Sequence, residues 1–193
     1  MCDKSLLRRE PDSKKVRVKF FLLVCLFASN ANAEIKVAFF RCYTPSLKAV
    51  QLTPGGKFCH VAISHNGGWL HAHPVDGVKW KKNLPEITGG RCENILIDIS
   101  APAVPHEEVT PWIGKPYDAS FRWETKEATY CSKLVGCLLK VPPTLMTFKS
   151  PFWNGFKDLP VNEVGISPDE IYHELLRRNY QEDDDSSQSL GQG

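Results

Sequence analysis

A chain of 193 residues with 42% hydrophobic content, five Trp and ten Phe carries enough apolar mass for one packed domain. Its formal net charge of +2 depends on a basic N-terminus, and nothing beyond that segment suggests the basic face or stripe of a nucleic-acid footprint.

The N-terminus reads as a leader. Residues 1–19 hold seven Lys and Arg, the run from Phe20 to Ala28 is unbroken and apolar, and Ser29-Asn30-Ala31-Asn32-Ala33 closes with a small-x-small triplet. Those are the three parts of a secretory signal peptide, with cleavage expected near Ala33. A bilayer span takes about 20 apolar residues, more than this run supplies. The competing reading is a buried or interfacial helix. Loss of 1–33 takes seven basic residues from 24 and three acidic ones from 22, leaving a net charge of −2. The protein is then secreted or periplasmic, where disulfides persist. Five cysteines remain, Cys42, Cys59, Cys92, Cys131 and Cys137, so at least one thiol has no intrachain partner. Among Cys42, Cys59, Cys92 and Cys137 one or two disulfides are expected, with the pairing open.

In chain order, residues 34–41 read as a strand leading into a Pro- and Gly-punctuated loop at 44–57. Residues 58–64 are a strand, His65-Asn66-Gly67-Gly68 a hairpin turn, and 69–72 the returning strand. Lys79, Trp80, Lys81 and Lys82 read as a solvated basic loop. Residues 94–99 alternate as another strand, and 105–113 hold a short helix. The clearest helix is 130–140, with Leu134, Val135 and Leu138 at i+3, i+4 and i+7 from Cys131 and Pro142-Pro143 as its stop. Ser167-Pro168-Asp169-Glu170 opens a final helix with Ser at the N-cap and Pro at N1, ending near Arg178. Residues 181–193 are acidic and nearly free of apolar side chains, a composition that predicts a disordered tail. The mixed order of strands and helices predicts an α+β domain over 34–180.

Cys131 stands at the start of its helix, where N–H groups and the positive helix end are expected to lower a thiol pKa. The helix pattern alone reads it as core. Cys59-His60-Val61-Ala62-Ile63-Ser64, the hairpin, and Trp69-Leu70-His71-Ala72-His73-Pro74 resemble the histidine hairpin of NlpC-like cell-wall peptidases. Gly114-Lys115-Pro116-Tyr117-Asp118 followed by Tyr130-Cys131-Ser132 resembles the nucleophile block of the same superfamily. Here the hairpin precedes the nucleophile, which resembles the circularly permuted group of YaeF and YiiX type.

That resemblance implies a permuted papain-like fold, an antiparallel sheet or barrel packed on the nucleophile helix. It also implies Cys131 as nucleophile, His60 as base and His71 as the group that orients the base, with Tyr117 and Tyr130 near substrate or oxyanion. His73 is the rim neighbour that takes the place of His71 if the register slips. Cys59 alternates away from the site. No metal and no cofactor are implied, and Cys59, His60, His71 and His73 lack the spacing of a zinc set. The implied function is an amidase or peptidase acting on cell-wall peptide stems or another acyl or amide substrate. The alternatives are a lipid acyl hydrolase or acyltransferase working near a membrane, and a catalytically silent binding module. Residues 148–156, with Phe152, Trp153 and Phe156, are the candidate apolar rim for a lipid.

Overall fold

Ile35, Val37 and Phe39 point to one side of the first strand, β1 (Ile35–Cys42), while Ala38 and Phe40 point to the other. Both sets are buried, so the strand needs cover on both faces and sits inside a sheet. The structure is a computed structural model describing residues 35–89, 92–99 and 103–189, with side chains of the closing helix described through 179 and at 181. The expected leader, 1–33, lies outside the described residues.

β1 pairs antiparallel with β2 (His60–His65) on one side and with β5 (Cys92–Ile99) on the other. The hairpin from β2 to β3 (Gly68–His73) turns at Asn66 and Gly67, with φ of 47° and 70°, the paired positive values that match strand twist. Lys79, Trp80 and Lys81 do not form a loop. They belong to a fourth strand, β4 (Gly77–Lys81), which pairs with β3 and completes an antiparallel sheet of order β4-β3-β2-β1-β5. An edge strand tolerates lysines on its solvent side, so its composition imitates a loop.

Between β4 and β5 lies a one-turn helix, α1 (Pro85–Thr88), and β5 is followed by α2 (His106–Val109) and a 3-10 turn at Thr110–Trp112. α3 (Cys131–Leu138) is buried on nearly every side, Cys137 alone being half-exposed. Leu134 and Val135 are fully buried, and such side chains contribute about 1.5–3 kcal/mol each. The helix ends before the prolines reach it. Lys140 turns into the left-handed region at φ 54°, the Val141 N–H closes back on the Gly136 carbonyl at 2.8 Å, and the Arg178 guanidinium donates to the carbonyls of Leu139 and Lys140.

A small ladder of β6 (Thr144–Leu145) and β7 (Val164–Gly165) precedes α4 (Pro168–Ser189). The Ser167 hydroxyl accepts the Glu170 N–H at 3.2 Å while the Glu170 carboxylate accepts the Ser167 N–H at 2.6 Å, a reciprocal cap worth about 1 kcal/mol. The helix continues past Arg178 into the acidic segment. Arg177 reaches both Glu174 and Gln181, and spaced pairs of this kind extend a helix that composition alone would end. Among the described residues no helix is long and apolar enough to cross a membrane.

Candidate active site

Three separate tethers bring the chemistry-bearing residues to one place. The Asp169 carboxylate, in the first turn of α4, accepts the Lys57 N–H at 2.7 Å and the Thr53 hydroxyl at 3.4 Å, which fixes the chain just before β2. Gly56 is required there, because a Cβ would come within 2.6 Å of that carboxylate. The segment 114–118 is tied to β4 by Val78 N–H to the Lys115 carbonyl at 2.8 Å and Gly114 N–H to the Val78 carbonyl at 3.0 Å. It is tied to the start of α3 by bonds of Asp118 N–H and Thr129 N–H, which place Tyr117 beside Tyr130 and Cys131. Lys133, itself buried, donates to the carbonyls of Arg122 and Thr125 and so holds the intervening loop over the helix. Nothing in the sequence marks Lys133 for that role beyond its position on an otherwise apolar helix.

Cys131, His60, Tyr117, Tyr130 and His73 all line one cavity of about 590 Å³. His60 Nε2 lies 3.1 Å from His71 Nδ1, with the rings at right angles. The β2–β3 register, Ile63 opposite Leu70, would set His60 level with His73 if continued to the start of β2. The bond nevertheless runs diagonally to His71, the residue expected from the sequence. Diagonal neighbours across a sheet lie within reach of ring side chains. His73 stays half-buried on the rim, and β3 ends there, one residue before Pro74.

Cys131 is buried within the main core, and the N–H groups of Val61, Ser132 and Cys131 itself face its sulfur. Val61 directly follows His60, so the backbone segment that faces the sulfur also carries the imidazole. Among the described residues no hydrogen bond joins the Cys131 sulfur to His60. Such bonds often tighten only when substrate arrives.

The expected lowering of the thiol pKa by the helix end does not hold. Burial pushes the Cys131 thiol up to about 11, and the N–H groups offset only part of that. Burial, with His71 and His73 adding repulsion, brings His60 down to about 3. Burial also brings His71 down to about 4, reinforced by His73 and Lys81 and opposed by Asp76. The resting pair is therefore a neutral thiol and a neutral imidazole. For His60 Nδ1 to accept a proton, its Nε2–H must donate to His71 Nδ1, which leaves the His71 proton on Nε2. That Nε2 is buried without a partner, beside a second small cavity lined by Asp76, Lys81 and Glu86.

The tyrosines differ. Tyr117 lines the cavity and packs edge-on against Phe121. Tyr130 is 1% exposed, and its hydroxyl accepts the Ile166 N–H while Ser132 donates to the Ile166 carbonyl at 2.7 Å. Burial raises both phenols, so they remain protonated donors. Among the described residues no side chain caps the start of α3, where the Cys131 and Ser132 N–H groups face the Cys131 sulfur.

Opposite the sheet, Phe121, Phe148, Phe152, Trp153 and Phe156 form an aromatic wall of the cavity with centroid separations of 4.8–6.3 Å. Trp153 Nε1 donates to the Leu52 carbonyl at 2.6 Å, pinning that wall to the loop before β2.

Cys59 does not point away from the site. It precedes β2, so strand alternation does not govern it, and it joins Cys42 in a disulfide on the cavity lining. Cys92, Cys131 and Cys137 are free.

The class these features define is an α+β fold with a five-stranded antiparallel sheet packed on the helix that carries Cys131. This fold is similar to the crystal structure of the metalloprotein yiiX from Escherichia coli O157:H7, with a TM-score of 0.50 and 18% identity over 72% of this chain and 91% of that one. No family model matches the sequence, and no curated protein matches it.

Proposed function

We propose that this chain is an exported cysteine hydrolase of permuted papain-like architecture that cleaves acyl bonds through an acyl-thioenzyme. The observation that carries the reading is the 3.1 Å contact of His71 with His60, which lines the cavity that also receives Cys131. A nucleophile, a base and a group that orients the base are what covalent acyl transfer requires.

The Cys131 sulfur attacks the substrate carbonyl carbon as its proton passes to His60. Proton transfer accompanies attack, because both partners rest neutral. His71 accepts the His60 Nε2–H and keeps the other nitrogen facing the thiol. First-turn N–H groups of α3 receive the developing oxyanion. The leaving group takes the proton from His60 and departs, forming the thioester. Water, deprotonated by His60, then releases the acid and regenerates the thiol.

The substrate implied by the resemblance is the amide of a cell-wall peptide stem. A second reading is favoured by the aromatic wall, which suits the apolar chain of a lipid ester more than a polar peptide. Among the described residues His60, His71 and His73 do not gather with a carboxylate into a set for the metal in the similar protein's name, and no step is routed through one. Purified protein lacking 1–33 is expected to hydrolyse either peptidoglycan stem peptides or long-chain acyl esters, with Cys131→Ala inactive. Activity that persists in Cys131→Ala overturns the reading.

A further inference from the structure

We propose that Cys42, Cys59 and Cys92 form a three-thiolate site for a soft cation, Zn²⁺ or Cu⁺, when the Cys42–Cys59 disulfide is reduced. This goes beyond the hydrolase reading and does not depend on it.

The three sulfurs all lie within 4.8 Å of one another. They arrive from three different segments. Cys42 and Cys92 stand directly opposite each other where β1 ends and β5 begins, and Cys59 is fixed by its N–H to the Phe40 carbonyl at 2.9 Å. Sheet pairing thus holds all three backbones before any sulfur bond forms. They pack against the apolar patch of Ala38, Phe40, Ala62 and Ile87, which keeps water from one side, while the other side faces the large cavity.

One disulfide uses two sulfurs, and the third remains a thiol. A disulfide alone gives no reason for a third cysteine at the same point. A cation does. Zinc–sulfur bonds of about 2.3 Å place the sulfurs of a three-thiolate set roughly 3.8–4.0 Å apart, under the 4.8 Å that bounds this group, and Cys42 and Cys59, 2.05 Å apart in the disulfide, separate to that distance once reduced. No carboxylate joins the group, so hard cations such as Ca²⁺ and Mg²⁺ are excluded and thiophilic ions selected.

The two states exclude each other. A dithiol reductant gives up two electrons and two protons to the disulfide, becomes a disulfide itself and leaves three thiols. Binding of the cation then displaces three protons as the three metal–sulfur bonds form.

The test uses the chain lacking 1–33, reduced with a dithiol, freed of reductant without oxygen, and titrated with Zn²⁺ and separately with Cd²⁺. One equivalent is expected to be retained, with a sulfur-to-cadmium charge-transfer band and protection of Cys42, Cys59 and Cys92 from maleimide by mass mapping. Oxidised protein should retain none. Cys92→Ser leaves the disulfide pair intact and should weaken retention at least about 100-fold, whereas Cys137→Ser should retain the ion like the parent. Equal retention by Cys92→Ser, or retention by the oxidised protein, overturns the proposal, as does failure of the folded, reduced parent to bind either ion.

Discussion

The two faces of the sheet are built to different ends. On one, Val37, Phe39, Val61, Ile63 and Leu70 meet α3 and α4 in a deep core that also encloses Cys131. On the other, Ala38, Phe40, Ala62 and Ile87 make a thin layer, and the sulfurs of Cys42, Cys59 and Cys92 and the ring of His60 border it. Cys131, the proposed nucleophile, is thus held by the deeply packed side, and His60, its proposed base, by the lightly covered side.

The largest effect should appear in turnover. Cys131→Ala is expected to abolish it, and His71→Ala to lower it by about 10⁴, the cost of removing the orienting member of a triad. His73→Ala should stay within about tenfold, roughly 1.4 kcal/mol of barrier. A larger loss in His73→Ala than in His71→Ala, at matched thermal stability, would show that the diagonal contact is not the one that orients His60.

Stability against pH should give the next effect. The folded chain keeps His60 and His71 neutral down to about 3 and 4, against 6.5 when unfolded. Between about pH 6.5 and pH 4 the unfolded chain binds protons the folded chain refuses, so stability rises with pH across this window and is lost on acidification. Urea midpoints measured through the window should fall towards acid, and His71→Asn should flatten part of that slope. A parent curve that is flat there would sink the buried-neutral assignment.

The smallest effect concerns the resting thiol. Held at about 11, Cys131 should react with iodoacetamide near neutral pH more slowly than an unperturbed thiol, with the rate still climbing above pH 9. Fast labelling at pH 7 would mean that the deep face activates the thiol on its own.

Local pattern made much of this fold legible. Asn66-Gly67 announces its hairpin, Ser167-x-x-Glu170 its cap, and the apolar spacing after Cys131 its helix. The His60–His71 partnership was legible through the resemblance, whereas the hairpin register by itself sets His60 level with His73. β4 was hidden because Lys79 and Lys81 look solvated when their pairing partner is unknown. The convergence of Cys42, Cys59 and Cys92 was hidden for a related reason. It depends on β1 pairing with two distant strands, and residue spacing says nothing about which strands become neighbours.

β4 has one further consequence, for how copies of the chain treat each other. It ends the sheet, where unsatisfied backbone would invite another molecule to add a strand. Its Val78 N–H and carbonyl are already taken by Lys115 and Gly114 of the same chain, and Lys79 and Lys81 crowd the approach with positive charge. Gly77, at φ 67°, leaves room for the Lys115 carbonyl that a Cβ would strike at 2.3 Å. A side chain at position 77 would push that loop aside and uncover the rim, leaving a molecule prone to stack edge on edge.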